Sequence, residues 1–397
     1  MLTGIPRYRN ILLRDFRTVK DGLVVNFNIG TAAHCPGTLA VLKKYLPSSV
    51  KITVWADAPL VPELAGLMQR RFPDVPLVWG DLESSPSPEL LSAVDEADLY
   101  LVSSGSTIAG SVCRTMEQFF RRTGKGAGAY ATGCTPGLIP VLDKLVFAWQ
   151  RDPVAAEIAQ GSVCPVKGWA PDAVFDFDAA DSCGAEIFMR EHCLEPGKFI
   201  CCIPGHRYTP RWQYFDVPVD AGKIAVNAEF EEHDNAPLRD IITLAVKEYG
   251  LKVLICPEQI TEITLIRPRI YDLLSPEIQT ACVPMDSLWS PDLALGVYRA
   301  SRGVFGVEMH SQVMAVGNGI PGVLLRHPQF GSKSEMWKSI GVPEWLIYAE
   351  SPDYAEQAVS AVRDILDHPV KTAEKLRRAR AVIDAANADA IRKSFLN

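Results

Sequence analysis

Short apolar runs alternate with stretches of helical periodicity along most of the chain, and that rhythm predicts a repeating β–α pattern. In the first half, apolar runs at residues 23–27, 51–55, 75–79, 98–103 and 127–131 read as strands. Between them, apolar positions spaced at the helical period predict helices over 37–45, 61–72, 88–96 and 112–122. Pro88 suits the first turn of its helix, where no N–H is needed. The cluster Gly124, Gly126, Gly128 precedes a strand, so it reads as a helix stop and turn, not as a dinucleotide loop. Such β–α repeats with short connections specify parallel sheets covered by helices on both faces.

The rhythm lapses from residue 150 to 181, around Cys164-Pro165, Ala170-Pro171-Asp172 and Phe175-Asp176-Phe177-Asp178. This stretch reads as the crossover between two domains, with the boundary between residues 172 and 193. The alternation then resumes. Strands are expected at 198–203, 252–256, 281–285, 304–307 and 322–325, and helices at 238–249, 262–274 and 311–316. Helices at 354–367 and 371–387 close the chain.

The 397 residues suggest two or three domains, and 48% hydrophobic content supplies large cores. A net charge of −7 argues against nucleic acid as a partner. The arginines Arg7, Arg9, Arg14 and Arg17 read as a solvated N-terminal arm. Neither a secretory signal nor a spanning apolar segment is evident. Ten scattered cysteines without C-x-x-C spacing fit reduced thiols in a cytoplasmic protein and give no support for zinc. The run Glu231-Glu232-His233-Asp234 reads as an exposed loop, since adjacent side chains cannot all face one ion. No metal site and no cofactor is expected.

Candidate chemistry concentrates in residues 303–337. A strand at 304–307 enters a turn carrying Glu308 and His310, and a helix starts at Ser311. The helix stops at Gly317-Asn318-Gly319, and Pro321 opens the next strand. Ligands of open α/β sheets sit beyond the carboxyl ends of strands, where a helix N-terminus offers N–H groups to an anion. His310 can exchange a proton near neutral pH. Glu308 can bind hydroxyls or pair with an arginine. Lys333 adds a cation. The loop after the strand at 198–203 carries His206, Arg207 and Arg211 with two aromatics, a set suited to phosphate, carboxylate or sugar. In the first half, Asn26, Asn28 and Gly30 form a loop at a strand end, and Ser104-Gly105-Ser106 forms a turn that is not a P-loop.

The segment 303–337 resembles the C-terminal motif of the polysaccharide pyruvyl transferase family, through His310, Ala315, Gly319, Pro321 and Lys333. Glu308 stands where that family usually carries arginine. Weaker resemblances are Asn26…Gly30, Ala97-Asp98…Gly105 and Met189-Arg190-Glu191. The resemblance implies a GT-B-like α/β fold: two doubly wound Rossmann-like domains facing a ligand cleft, with C-terminal helices. Residues 1–175 would form the acceptor side, 176–365 the donor side and 366–397 a helical segment. It implies an enzyme that moves a pyruvyl group from phosphoenolpyruvate to a sugar or glycan precursor. The alternatives are a nucleotide-sugar-dependent glycosyltransferase or epimerase-like enzyme, and a non-catalytic glycan-binding relative. His310 and Glu308 would be catalytic. Arg207, Arg211, Lys333, Ser311, Arg190, Asn26, Asn28, Gly30 and Gly105 would bind substrate. Self-association into a homodimer is left open.

Overall fold

The computed structural model describes residues 2, 4–15, 17–84, 86–105 and 108–397. Ser106, from the expected glycine turn, lies outside the described residues. The chain divides into two compact units. The first comprises residues 1–26, 31–179 and 381–397, and the second 27–30 and 180–380.

The first unit contains β1 (Asn10–Arg14), most of α1 (Ile29–Tyr45), β2 (Lys51–Ala56), α2 (Pro62–Arg71), β3 (Leu77–Trp79) and α3 (Pro88–Glu96). It continues through β4 (Leu99–Val102), α4 (Ser111–Thr123), β5 (Ala127–Thr132), β6 (Phe147–Gln150) and β7 (Lys167–Trp169). The seven strands are parallel, in the order β3-β2-β1-β4-β5-β6-β7. β4, β5 and β6 are buried at every position, as a sheet covered on both faces requires. Gly124 takes φ 65° at the end of α4, the left-handed stop read from the sequence.

Three expectations for this unit need correction. The run at 23–27 is not the first strand of the sheet. Only Leu23–Val24 is extended, and it pairs antiparallel with Val19–Lys20 in a two-stranded ribbon. The leading strand is β1, whose three apolar residues are hidden among arginines in the sequence. The rhythm also does not lapse at 150, because β6 and β7 extend the sheet. Finally, Arg14 and Arg17 are buried, not solvated. Arg14 pairs with Asp57, donates to the Trp55 carbonyl (2.9 Å) and to Thr115 Oγ1 (3.2 Å), and lies over the Trp55 ring. Arg17 Nε donates to Asp15 at 2.7 Å. Buried charges persist when paired in this way.

The second unit contains α5 (Ser182–Glu191), β8 (Phe199–Ile203), α6 (Ala221–Tyr249), β9 (Lys252–Ile255) and β10 (Cys282–Pro284). After these come α7 (Pro291–Ala300), β11 (Val304–Gly306), α8 (His310–Gly317), β12 (Gly322–Arg326) and β13 (Leu346–Tyr348). α9 (Tyr354–Asp367) and α10 (Pro369–Phe395) end the chain, and α10 passes from the second unit into the first. The six strands are parallel, in the order β10-β9-β8-β11-β12-β13. β8 is buried at all five positions, including Cys201 and Cys202.

Here too the structure departs from the pattern. Glu231-Glu232-His233-Asp234 lies inside α6, which begins seventeen residues before the expected helix, at Ala221. The expected helix over 262–274 is a series of short turns, with a π turn at Ile266–Ile270 containing Pro268. Proline removes a donor and crowds the preceding turn, which favours the irregular turn at Pro268, although α6 runs on through Pro237.

Candidate functional site

The strand order of the second unit reverses between β8 and β11. Loops leaving these two strands part in opposite directions, which opens a crevice at their carboxyl ends. β8 leads into Pro204-Gly205-His206-Arg207, β11 into Val307-Glu308, and β9 on the far side of β8 into Pro257-Glu258. Gly205 is needed here, because a Cβ would stand 2.8 Å from Val307 Cγ1. Its N–H donates to Asn235 Oδ1 at 3.0 Å, which fixes the loop to α6.

The N-terminus of α8 is not open. Glu258, fully buried, fills it. Its Oε2 accepts from the Ser311 N–H (2.7 Å) and the Ser311 hydroxyl (3.0 Å). Its Oε1 meets His310 Nδ1 (3.1 Å) and accepts from Asn28 Nδ2 (3.4 Å). Burial alone would raise the Glu258 carboxyl, but His310 and the two donors of Ser311 outweigh it and hold the group below its usual value. An ionised carboxylate only accepts, so Nδ1 of His310 is the donor in that pair. The anion seat anticipated at this helix is therefore taken by the protein's own side chain. Ser311 is buried and spent on Glu258, with Tyr298 donating to its hydroxyl at 3.1 Å. Direct contact between Ser311 and a ligand is thus corrected by the geometry.

The loop at 27–30 is stitched to this corner. The Ile29 N–H donates to the Glu258 carbonyl at 3.0 Å and the Ile260 N–H to the Phe27 carbonyl at 3.1 Å. Gly30 lies flat against the His310 ring, where a Cβ would sit 2.2 Å from the imidazole. Asn28 and Gly30 thus converge on His310, as Glu258's donor and as the backbone plate behind the ring. His310 keeps 12% of its side chain exposed.

Two further glutamates crowd the crevice. Glu308 is buried, and Gln259 Nε2 donates to its Oε1 at 2.8 Å. Burial first, then the Glu258 charge, push the Glu308 carboxyl up to about 8, against the pull of Lys333, Glu262 and Gln259. Glu262 is fully buried and accepts the N–H groups of Glu258 (2.7 Å) and Gln259 (3.1 Å) on one oxygen. Burial and the charges of Glu308 and Glu258 push it well above the carboxylate range. Glu262 lies beside Glu308 and draws its carboxyl down. The expected arginine partner for Glu308 is not there: Gln259 and Glu262, with the Lys333 charge nearby, stand in its place.

The cations are distributed differently from expectation. Arg207 makes a bidentate pair with Asp234 (2.6 and 2.9 Å) and lies 3.5 Å from the centre of the Phe230 ring. It is committed to the fold. Arg211 stacks over Phe27 (5.3 Å) and Phe215 (4.8 Å), and among the described residues it has no carboxylate partner. Burial lowers its otherwise very high pKa. Thr209, two residues before it, donates to Gln259 Oε1 at 3.1 Å. Gln259 therefore joins the Arg211 loop to Glu308. Lys333 lies over Phe330 at 4.7 Å. His206 and His327 are both held down by burial, His327 to about 4.

Arg190 is not brought to this corner. It sits exposed at the end of α5, which leads to the start of β8, and so marks the opposite edge of the sheet. Asn26 and Gly105 belong to the first unit. Gly105 takes φ 156° after β4, and its N–H donates to the Ala131 carbonyl at 3.3 Å. Sequence reasoning missed Glu258, Gln259 and Glu262. Their signal was available, since a Pro-Glu-Gln turn directly follows a predicted strand.

No protein-family model matches the chain, and no curated protein matches it in sequence. Solved structures do match in shape. A UDP-GlcNAc 2-epimerase from Neisseria meningitidis bound to UDP-GlcNAc superposes with a TM-score of 0.55, at 12% identity over 96% of this chain and 99% of that one. The fold is GT-B-like. The UDP-forming α,α-trehalose-phosphate synthase of Burkholderia vietnamiensis gives 0.51, at 10% identity over 98% of each chain. The ADP-heptose LPS heptosyltransferase II of E. coli gives 0.50, at 10% identity over 91% of this chain and 99% of that one. Among the described residues, no helix is long and apolar enough to cross a membrane.

Proposed function

We propose that the chain is an enzyme acting on a nucleotide-activated sugar, as a glycosyltransferase or an epimerase-like enzyme, with the donor held by the second unit. The shared fold supplies the class by analogy only. The observation that carries the reading is the set of three buried glutamates around His310, with Glu258 already seated at the α8 N-terminus. Phosphoenolpyruvate bears a phosphate and a carboxylate, and both would meet acids where cations are needed. A sugar ring meets suitable partners instead. Glu308 in its neutral form donates to a hydroxyl or ring-substituent oxygen, and Gln259 donates and accepts beside it. Arg211, lying over the Phe27 and Phe215 rings, suits the diphosphate.

In a transfer reaction, the His310 imidazole takes the proton from the attacking hydroxyl as the new C–O bond forms. The bond to the diphosphate breaks, and the nucleoside diphosphate leaves with the electron pair. Glu258 supports the imidazolium formed in that step. Pyruvyl transfer is the second reading, favoured by the motif match and by the Lys333 charge close to Glu308.

Calorimetry distinguishes the readings. Uridine or adenosine diphosphate is expected to bind wild type, and phosphoenolpyruvate to bind only a Glu308→Arg variant. Phosphoenolpyruvate binding to wild type, with no response to either nucleotide, would reverse the order. Silence toward all of them favours a non-catalytic glycan-binding protein.

A further inference from the structure

We infer that the groove between β13 and α9 takes up an extended, basic segment of another protein, as an added strand on the free edge of the second sheet. The inference is independent of the chemistry proposed at His310.

The two edges of this sheet differ. At β10, the Val253 N–H donates to the Ala281 carbonyl (3.0 Å) and the Met285 N–H to the Ile255 carbonyl (2.9 Å), so residues 281, 283 and 285 face β9. The outward positions are Cys282 and Pro284, and a proline has no N–H to offer a newcomer. At β13, the Ala349 N–H donates to the Arg326 carbonyl at 2.8 Å, so Ile347 and Ala349 face β12 while Leu346 and Tyr348 face outward. The Ser351 N–H donates to the Tyr348 carbonyl at 3.0 Å. That leaves the Leu346 N–H and carbonyl and the Tyr348 N–H to the open side. This side is a groove of about 580 Å³, floored by residues 345–348 and walled by α9. An extended segment laid in it can exchange two backbone hydrogen bonds with Leu346 and offer a carbonyl to the Tyr348 N–H.

Charge selects the segment. Four of the twelve lining residues are acids, Glu344, Asp353, Glu356 and Asp364, and none is a base. At one end α10 supplies Lys375 to Glu344 (2.5 Å) and Lys371 to Asp364 (3.3 Å). At the other end Asp353 accepts from neutral groups, the Ser351 hydroxyl and Gln357 Nε2, and Glu356 is exposed. Arg326 and Lys338, beside the Tyr348 ring, are already paired with Glu350 (2.8 Å) and Glu335 (2.7 Å). Side chains of an added strand alternate, so every second one faces the α9 wall. Lysine or arginine at those positions meets Asp353 and Glu356. A second copy of this chain pairing through the same edge would bring two acidic walls together, which opposes it.

The test uses the full chain and a capped seven-residue peptide alternating lysine with valine, with the glutamate–valine counterpart as its control. Binding is read by calorimetry at low salt, and amide hydrogen exchange is followed at β13. The lysine peptide is expected to bind and the glutamate peptide not. Its affinity is expected to fall by about tenfold in the double variant Asp353→Asn, Glu356→Gln, which alters only two exposed side chains. The bound peptide is expected to slow exchange at the Leu346 and Tyr348 N–H groups by about tenfold or more, with no change at Ile347, which the ladder already protects. Equal binding of both peptides, binding of the lysine peptide without added protection at Leu346 and Tyr348, or no binding at about 1 mM peptide overturns the inference. So does a dimer of the chain that protects these two N–H groups before peptide is added, because it gives the edge to a second copy.

Discussion

Substituting Glu308 by glutamine should change how the stability of the second unit depends on pH. Glu308 moves from an ordinary value of 4.5 to about 8 in the folded protein. Burial is the main cause, and Glu258 adds to it. The folded form then binds this proton more tightly than the unfolded chain across the interval from 4.5 to about 8. Stability from this group is full below the lower value and falls as pH rises to the upper one. At ~1.36 kcal/mol per pH unit, the interval amounts to roughly 5 kcal/mol. Glu258 and Glu262 act on the same carboxyl and share the effect, so a difference of about 2–5 kcal/mol is expected.

Glutamine has nearly the same shape. It accepts from Gln259 through its oxygen and carries no charge at any pH. Wild type and Glu308→Gln should therefore be equally stable near pH 5, with the variant ahead near pH 9. The assay is urea unfolding across that range, comparing the transition of the second unit identified by hydrogen exchange at β8 and β11, since the two units need not unfold together. Groups common to both proteins cancel in the difference. A gap between wild type and variant that stays constant from pH 5 to pH 9 would show that Glu308 is ionised throughout and that the neutral-acid reading is wrong.

His310→Ala should lower turnover by about 10²-fold or more once a substrate is in hand, with the melting temperature nearly unchanged. Arg207→Ala leaves buried Asp234 with His233 alone beside it and should cost about 3 kcal/mol in denaturant unfolding. By contrast, Arg211→Met should leave stability within about 0.5 kcal/mol while weakening nucleoside diphosphate binding and its salt dependence in calorimetry. Gly30→Ala drives a methyl into the His310 ring and should cost about 1–3 kcal/mol, read from melting curves; an unchanged melting temperature would show that the ring is free to move aside.

The sequence by itself determined the class of fold. Alternating apolar runs and helical periods specify parallel sheets because strands covered on both faces must be apolar throughout, and β4 and β8 follow that rule. Local turn chemistry was equally legible, at Pro88, at Gly124 and at the strand–turn–helix carrying Glu308 and His310. What misled was composition at single positions. Arginines around Ile11–Leu13 disguised the leading strand, because a buried guanidinium is acceptable only when partners such as Asp57 arrive from elsewhere in the sheet. Only the tertiary structure decided the chemistry of the site. Glu258 lies 52 residues before His310, and Asn28 a further 230 before it. Strand order, not sequence distance, brings them to one helix end. Once there, a carboxylate takes the seat that the local motif had reserved for an anionic ligand. The same crowding raises the carboxyls of Glu262 and Glu308, because buried like charges at close range disfavour one another's ionisation.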